Sequence, residues 1–361
     1  MARHRKQMIH FFLTNRCNLG CDYCYVNEQD AKQYTLDLEF AKLGMDEFFE
    51  TNSSRWIRFF ASGEPTLEFE LMKSIHEYAR ERAGDELKVE LQTNGVFSSE
   101  VCEWICENVD IAWISHDGPD AHDVHRKTIY GKPSSPIVEQ NIRRLVESPV
   151  TVGVRPTITE ENVQKQREMV RYFTEIGIKA IAADPIFSKV GESSNDPLFL
   201  VRFARDYLAA AELASELGIF YTTILTTNFD EKTNIACQAC IPCPHLTPDG
   251  YVSACDMATR GDTPLQALIY GKYNKNEGRI EYFEDRIKQL RSRTLENIEH
   301  CAKCDVGPYC AGTCLGETLN ETGSLFGRRM DSMSIGYICS VVRFLDAHSP
   351  RTRQIYPYLH P

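Results

Sequence analysis

Three cysteines stand within eight residues of one another near the start of the chain, as Cys17-x3-Cys21-x2-Cys24. Thiolates at that spacing can wrap one corner of an iron–sulfur cubane and leave a fourth iron without a protein ligand, and an open metal position is where chemistry happens. Three ligands plus a water would also make a catalytic zinc site, so the loop by itself leaves both metals open. A second cysteine-rich region lies between positions 237 and 339, which hold nine of the 14 cysteines; its densest part is Cys301-x2-Cys304-x5-Cys310-x3-Cys314. Paired cysteines two apart are also common ligands of structural zinc. The two left over, Cys102 and Cys106, are four apart on a helix-like segment and read as small buried apolar residues.

Stepping out to the elements that would carry these groups, the first two-thirds of the chain alternates strand-like and helix-like segments. Strands are expected at Met8–Thr14, Trp56–Phe60, Lys88–Gln92, Val109–Ser115, Val150–Ile158 and Ile178–Ala183, and helices at Leu36–Phe49, Glu68–Arg82, Ile137–Val146 and Asn162–Ile176. A long helix opens on Asp196-Pro197, a cap residue followed by proline at the first turn, and stops at Gly218. Strand and helix alternating at this pitch imply parallel βα units, about six of them by residue 220. That is short of the eight that close a full barrel.

In such sheets sites form at the carboxyl ends of strands. The cysteine loop follows the first strand, the second strand ends in Ala61-Ser62-Gly63-Glu64-Pro65-Thr66, the third in Thr93-Asn94-Gly95 and the fourth in Ser115-His116-Asp117-Gly118. All four open onto one rim. From about Asn228 periodicity fades, and Gly271–Gly278 reads as an exposed loop and Arg279–Arg291 as a helix. Bound metal is the expected organiser of this tail.

Composition narrows the class further. With 361 residues, 42% hydrophobic and 25% charged, the chain is long enough for a well-buried core and is not a disordered polymer. Its net charge of −11 argues against a general nucleic-acid binder. No apolar run reaches the length of a membrane span, and the apolar part of MARHRKQMIHFFLT is too short for a signal peptide, so a cytoplasmic protein is expected. Thiols in that compartment serve better as metal ligands than as disulfides.

Cys17-x3-Cys21-x2-Cys24 with Tyr23 before the last cysteine, followed by Ser62-Gly63-Glu64-Pro65, resembles the radical S-adenosylmethionine (SAM) superfamily. The family's second motif has glycine where Ser62 stands here. Gly250-x4-Cys255, preceded by Cys240, together with the Cys301–Cys314 run and Cys339, resembles the SPASM extension of that superfamily. The resemblance spans nearly the full chain.

It implies an α/β fold, a partial (β/α)6 barrel over 1–225, then a cysteine-rich iron–sulfur SPASM domain over 226–345 and a terminal tail over 346–361. It implies three [4Fe–4S] clusters and SAM, whose cleavage gives a 5′-deoxyadenosyl radical that abstracts a substrate hydrogen. Cys17, Cys21 and Cys24 would hold the first cluster, and Tyr23, Ser62, Gly63, Glu64, Pro65, Ser115 and Asp117 would line the SAM site. Cys301, Cys304, Cys310 and Cys339 would hold the outer auxiliary cluster. Cys240, Cys255 and Cys314 would hold the inner one, with Cys237 and Cys243 competing for the remaining place. Asp256, directly after Cys255, resembles the Cys-Asp pair of anaerobic sulfatase-maturating enzymes, in which the aspartate is the base; a surface carboxylate is the alternative. His116 occupies a position that is usually apolar in the family, and a hydrogen-bonded rim histidine is expected.

The resemblance further implies a peptide or protein substrate and a flavodoxin- or ferredoxin-type reductant. Since the first strand starts at Met8, leaving no room for a recognition domain ahead of it, a peptide would be gripped at the barrel mouth or delivered by a separate protein. The expected reaction is oxidation of a side chain of a ribosomally made peptide, or its cross-linking through a C–S or C–C bond. Conversion of a sulfatase Cys or Ser to formylglycine, a small-molecule reaction on a sugar or amino acid, and a non-catalytic zinc-organised protein are the rivals.

Overall fold

The computed structural model describes residues 7–26, 32–60, 62–186, 197–226, 232–327 and 335–348. Ala61, Asp196, Asn228 and the tail beyond 348 lie outside them. Strands β1 (Ile9–Phe12), β2 (Trp56–Phe60), β3 (Lys88–Thr93), β4 (Ile111–Ile114) and β5 (Thr151–Val154) come first, followed by β6 (Thr157–Ile158), β7 (Ala180–Ala182), β8 (Asp184–Pro185) and β9 (Phe220–Thr222). Helices α1 (Leu38–Thr51), α2 (Phe69–Ala83), α3 (Ser99–Asn108), the single turn α4 (His122–His125), α5 (Ser135–Val146), α6 (Gln166–Glu175) and α7 (Pro197–Glu216) alternate with them.

β1, β2, β3, β4, β5, β7 and β9 are neighbours in that order, and every pairing is parallel. This is the expected partial barrel: six helical crossovers feed a seventh strand. The expected strand Val150–Ile158 is two strands, because Arg155-Pro156 interrupts the ladder and β6 turns aside to pair with β8.

Alternation sorts the side chains by face. Ile9, Phe11, Ile57, Phe59, Val89 and Leu91 join the main core beneath the helices. Met8, Trp56, Ile111, Trp113 and Ala180 form a separate apolar cluster on the opposite, inner face and plug the amino ends of the strands. The next inward layer is polar: His10 is in register with Arg58, and Arg58 with Glu90.

Past α7 the chain adds β10 (His245–Leu246), β11 (Tyr251–Ser253), β12 (Ile269–Asn274) and β13 (Arg279–Tyr282). β10 pairs in parallel with β1, and β11, β12 and β13 follow antiparallel, so one sheet runs from the barrel into the tail. Two expectations are corrected here. Gly271–Asn274 belongs to a strand rather than a loop, and Arg279–Tyr282 is its hairpin partner rather than the start of a helix; only Glu284–Arg291 is helical, as α8. Ile280 and Tyr282 do alternate with Arg279 and Glu281, but over four residues beside a Gly- and Asn-rich turn the period-two signal is too short to stand out. Short helices α9 (Gly307–Cys310) and α10 (Leu315–Thr322) and the longer α11 (Ile335–His348) complete the tail. Among the described residues no helix is long and apolar enough to cross a membrane.

Candidate functional site: a cysteine loop at the strand ends and two thiol groups in the tail

The loop of Cys17, Cys21 and Cys24 leaves the carboxyl end of β1 and is fastened on three sides. Glu64 N–H donates to Arg16 O at 2.7 Å, and Gly63 N–H to Thr14 O at 3.3 Å. A Cβ at Gly63 would sit 1.9 Å from Arg16 O, so only glycine permits this approach. Asn94 donates through Nδ2 to Asn18 Oδ1 at 2.7 Å and lies 3.8 Å from Cys17 Sγ. From the other side Gly20 N–H donates to Lys127 O at 2.8 Å and Ile129 N–H to Asn18 O at 3.1 Å. The ends of β2 and β3 and the segment after β4 thus meet around the thiols, as the strand-end motifs predict.

Burial pushes the Cys17 thiol up to about 12 and Cys21 up to about 11, while the Arg126 guanidinium draws Cys21 back. Binding of a cation displaces thiol protons, so these groups become ligands as thiolates. Glu64 is fully buried, its Oε1 accepting from Thr66 N–H, Thr66 Oγ1 and Thr93 Oγ1 and its Oε2 from Asn94 N–H at 2.7 Å. Burial raises its pKa, against those donors. Pro65 opens the one-turn helix that Glu64 caps. Ser62 and Ser115 are half-buried, and Ser115 N–H closes onto Thr93 O at 2.9 Å.

Asp117 is committed to a clamp. Its carboxylate accepts a short bond from Tyr23 OH, two from Arg126 at 2.9 and 3.1 Å, and one from Thr157 N–H at 2.8 Å. Burial works to raise its pKa, and the Arg126 guanidinium outweighs it, so the carboxyl is held below its ordinary range. Arg126 also lies over the Tyr23 ring, 5.3 Å from its centroid. The sequence reading passed over Arg126, whose pairing nine residues from Asp117 carries no periodic signal. His116 is fully buried rather than at a solvated rim; its Nδ1 accepts from Gly118 N–H at 3.0 Å and fixes the turn that presents Asp117.

Deeper in the barrel, Asp256 accepts from Arg58 Nη1 at 3.2 Å and meets His10 Nδ1 at 3.3 Å and His245 Nε2 at 3.1 Å. Burial opposes ionisation of Asp256, but Arg58 and the two imidazoles hold its pKa well below the carboxylate range; burial lowers His10 to about 3. About 32% of the Asp256 side chain stays accessible, so the carboxylate is anchored on one side and open on the other. His245 Nδ1 faces Cys243 O at 2.8 Å and must donate, since a carbonyl only accepts. Its Nε2 can then meet Asp256 only with one further proton between the two groups. Arg58 continues the layer to Glu90 at 3.0 Å and to Gln92, which Arg155 also reaches at 3.0 Å.

In the tail, four of the five candidate cysteines of the inner group interact. Cys240 is hydrogen-bonded with Cys237, and Cys255 is electrostatically coupled to Cys314 and Cys237. Cys243 stands apart: its thiol donates to Met8 O at 2.6 Å and accepts from Met8 N–H at 3.3 Å, pinning the start of β10 to β1. In the outer group Cys301, Cys304, Cys310 and Cys339 line one pocket, together with Val306, Val342 and Arg343. Burial pushes Cys301 up to about 12, with Cys310, Cys339 and Cys304 adding to the effect. Cys102, by contrast, is fully buried in the helix-facing core, with Cys106 packed against that core.

The spacing of sulfurs distinguishes the metals. Tetrahedral zinc with Zn–S bonds of about 2.3 Å draws its sulfurs to within roughly 3.8 Å of each other. Among the described residues, the one set of three or more metal-ligating groups whose donor atoms all lie within 4.8 Å is His10, His245 and Asp256. Among the described residues no three cysteine sulfurs all lie within that distance of one another. The His10–His245–Asp256 set is in turn a poor cation site, because Arg58 already neutralises the carboxylate.

Residues 11–173 match the Radical SAM superfamily. Through that segment the chain is similar to the radical SAM superfamily. Among curated proteins it is 31% identical to an uncharacterized protein of Methanocaldococcus jannaschii, over 50% of this chain and 63% of that one. It is 29% identical to a serine-type anaerobic sulfatase-maturating enzyme of Bacteroides thetaiotaomicron, over 60% of this chain and 54% of that enzyme. The matched regions thus span between half and two-thirds of these relatives' lengths.

Among solved structures, native anSMEcpe with bound AdoMet superposes at a TM-score of 0.74 with 19% identity, covering 94% of this chain and 96% of that one. Streptococcus suis SuiB bound to its precursor peptide SuiA superposes at 0.64 with 12% identity, covering 92% and 76%. At these identities the likeness establishes the fold, barrel and cysteine-rich tail together, which is of the SPASM type. The radical SAM domain implies SAM and one [4Fe–4S] cluster.

Proposed function

We propose that this enzyme oxidatively modifies a side chain of a peptide, with C–S or C–C cross-linking of a ribosomally made peptide as the outcome. Cys17, Cys21 and Cys24 hold the SAM-binding cluster, Cys237, Cys240, Cys255 and Cys314 an inner auxiliary cluster, and Cys301, Cys304, Cys310 and Cys339 an outer one. When bound, the first cluster and SAM supply a hydrogen-abstracting radical, and the tail clusters supply an acceptor for the electron left on the substrate. Ser62, Gly63, Ser115 and the backbone around Glu64 line the SAM site, with Tyr23, Pro65, Glu64 and Asp117 fixing its walls. Asp256 takes the proton that substrate oxidation releases. The observation that carries this reading is the position of Asp256: its ionised carboxylate is steadied by Arg58, His10 and His245, follows Cys255 directly and keeps an open edge.

Peptide chemistry is supported by the two similar folds, since anSMEcpe has been solved with a peptide bound and SuiB with its precursor peptide. A low-potential flavodoxin or ferredoxin in the cytoplasm is the matching electron source. One observation favours a second reading, formylglycine formation on a sulfatase: the Cys255-Asp256 pair occurs in a chain 29% identical to a sulfatase-maturating enzyme. Incubating the anaerobically reconstituted enzyme with SAM, reductant and a Cys-x-Pro-x-Arg peptide separates the two. An aldehyde product establishes the maturase reading. The peptide-crosslinking reading predicts no aldehyde from this peptide, and 5′-deoxyadenosine release with a cross-linked product from a ribosomally made precursor peptide.

A further inference from the structure

Arg293 is the largest fully buried side chain among the described residues, 1% exposed, and no described carboxylate pairs with it. Its guanidinium instead donates to three backbone carbonyls, Leu325 O at 3.1 Å, Ala311 O at 2.9 Å and Gly312 O at 2.9 Å. Carbonyl dipoles satisfy its N–H groups but do not cancel its charge. A buried, uncompensated cation is costly enough that native folds rarely keep one without an anion nearby.

The carbonyls it holds belong to an unusual piece of chain. Ala311, Gly312 and Thr313 are consecutive residues in the left-handed region, with φ of 47°, 83° and 65°, and two of them carry a Cβ. A Cβ on Gly312 would lie 2.6 Å from Ile298 Cδ1 and 3.0 Å from Arg293 Nη2. This strained link joins Cys310 of the outer group to Cys314 of the inner one. Thr313 N–H donates back to Cys310 O at 3.1 Å. Arg293 therefore grips the link that runs from Cys310 of the outer group to Cys314 of the inner one, with a bond to each of its first two carbonyls.

Resting on the three-cluster reading above, we infer that Arg293 is a positioning residue and shared counter-charge for the two tail clusters, and that it raises the reduction potentials of both. A cubane bound by four thiolates carries a net charge of about −2, which is the anion this guanidinium lacks. By holding the carbonyls of Ala311 and Gly312, Arg293 also fixes the path of the link between Cys310 and Cys314.

Potentiometric EPR titration of the anaerobically purified holoenzyme tests this, with iron and sulfide assayed in parallel. In R293Q both tail clusters are expected at more negative potentials than in the wild type, with the SAM-binding cluster unmoved. R293K keeps the charge but cannot span three carbonyls, so a smaller negative shift is expected with iron retained. If R293Q fails to hold tail iron, R293K decides. Unchanged potentials in an iron-replete variant, a shift confined to one tail cluster, or loss of tail iron from both variants would overturn the inference, the last because the residue would then serve folding alone. A wild type without tail clusters would instead defeat the functional reading itself.

Discussion

The cysteine loop after β1 hangs from the ends of parallel strands, whereas the tail's cysteines sit on short turns and helices packed against the edge of the main apolar core. In the loop, Gly63, Asn94, Asp117 and Arg126 form a scaffold that holds Cys17, Cys21 and Cys24 from outside. In the tail the link between the two cysteine groups runs through three left-handed residues gripped by Arg293. A site built to keep one metal position open needs a frame that stands without the metal. A site whose ligands are complete can let the cluster be the frame.

That contrast can be broken at its strongest point. Replacing Cys17, Cys21 and Cys24 together by alanine should abolish 5′-deoxyadenosine formation from SAM while the thermal unfolding profile and tail-cluster spectra stay close to wild type. Residual 5′-deoxyadenosine would show that the radical arises elsewhere. Next in size, D256N should cut modified peptide by about 10²–10⁴-fold while SAM cleavage persists, as removal of a general base predicts. Equal losses of both products would show that Asp256 serves the fold.

The frame itself is tested by D117N, which leaves Arg126 a buried charge with a weakened partner. Breaking a buried pair costs about 3–5 kcal/mol, readable as a lower Tm of the apo-protein. Because the carboxyl is held below its ordinary range, its contribution is complete above the unfolded value of about 3.9 and is lost as pH falls through the folded one. The stability difference between D117N and wild type should therefore shrink in acid and stay flat above about pH 5. A constant difference down to low pH would contradict the clamp. Smallest of all, C243A should keep full iron content and lose about 1 kcal/mol through its bonds with Met8. Loss of four irons would make Cys243 a ligand.

What the sequence made legible divides along the same line. The cysteine loop, Gly63 and the strand-end motifs could be read because each lies in a local run whose spacing has chemical meaning. The barrel followed from alternating strands and helices that bury one face. Arg126, His10, Arg58 and Arg293 were not readable, since their partners are distant in sequence or are backbone carbonyls, which no residue type announces. The β12–β13 hairpin escaped because its alternation runs over only four to six residues per strand around a Gly- and Asn-rich turn. Five cysteines compete for four places in the sequence, and the bond of Cys243 to Met8, a long-range contact with a backbone carbonyl, is not legible there.

The most direct test of the account is the iron and acid-labile sulfide content of the anaerobically purified wild-type chain, measured beside that of the C17A/C21A/C24A variant. About 12 iron atoms per wild-type chain and about 8 in the variant are expected, from three independent cubanes of which one rests on the strand-end loop. Zinc in place of iron in the wild type, or a variant that loses all its iron, would contradict it.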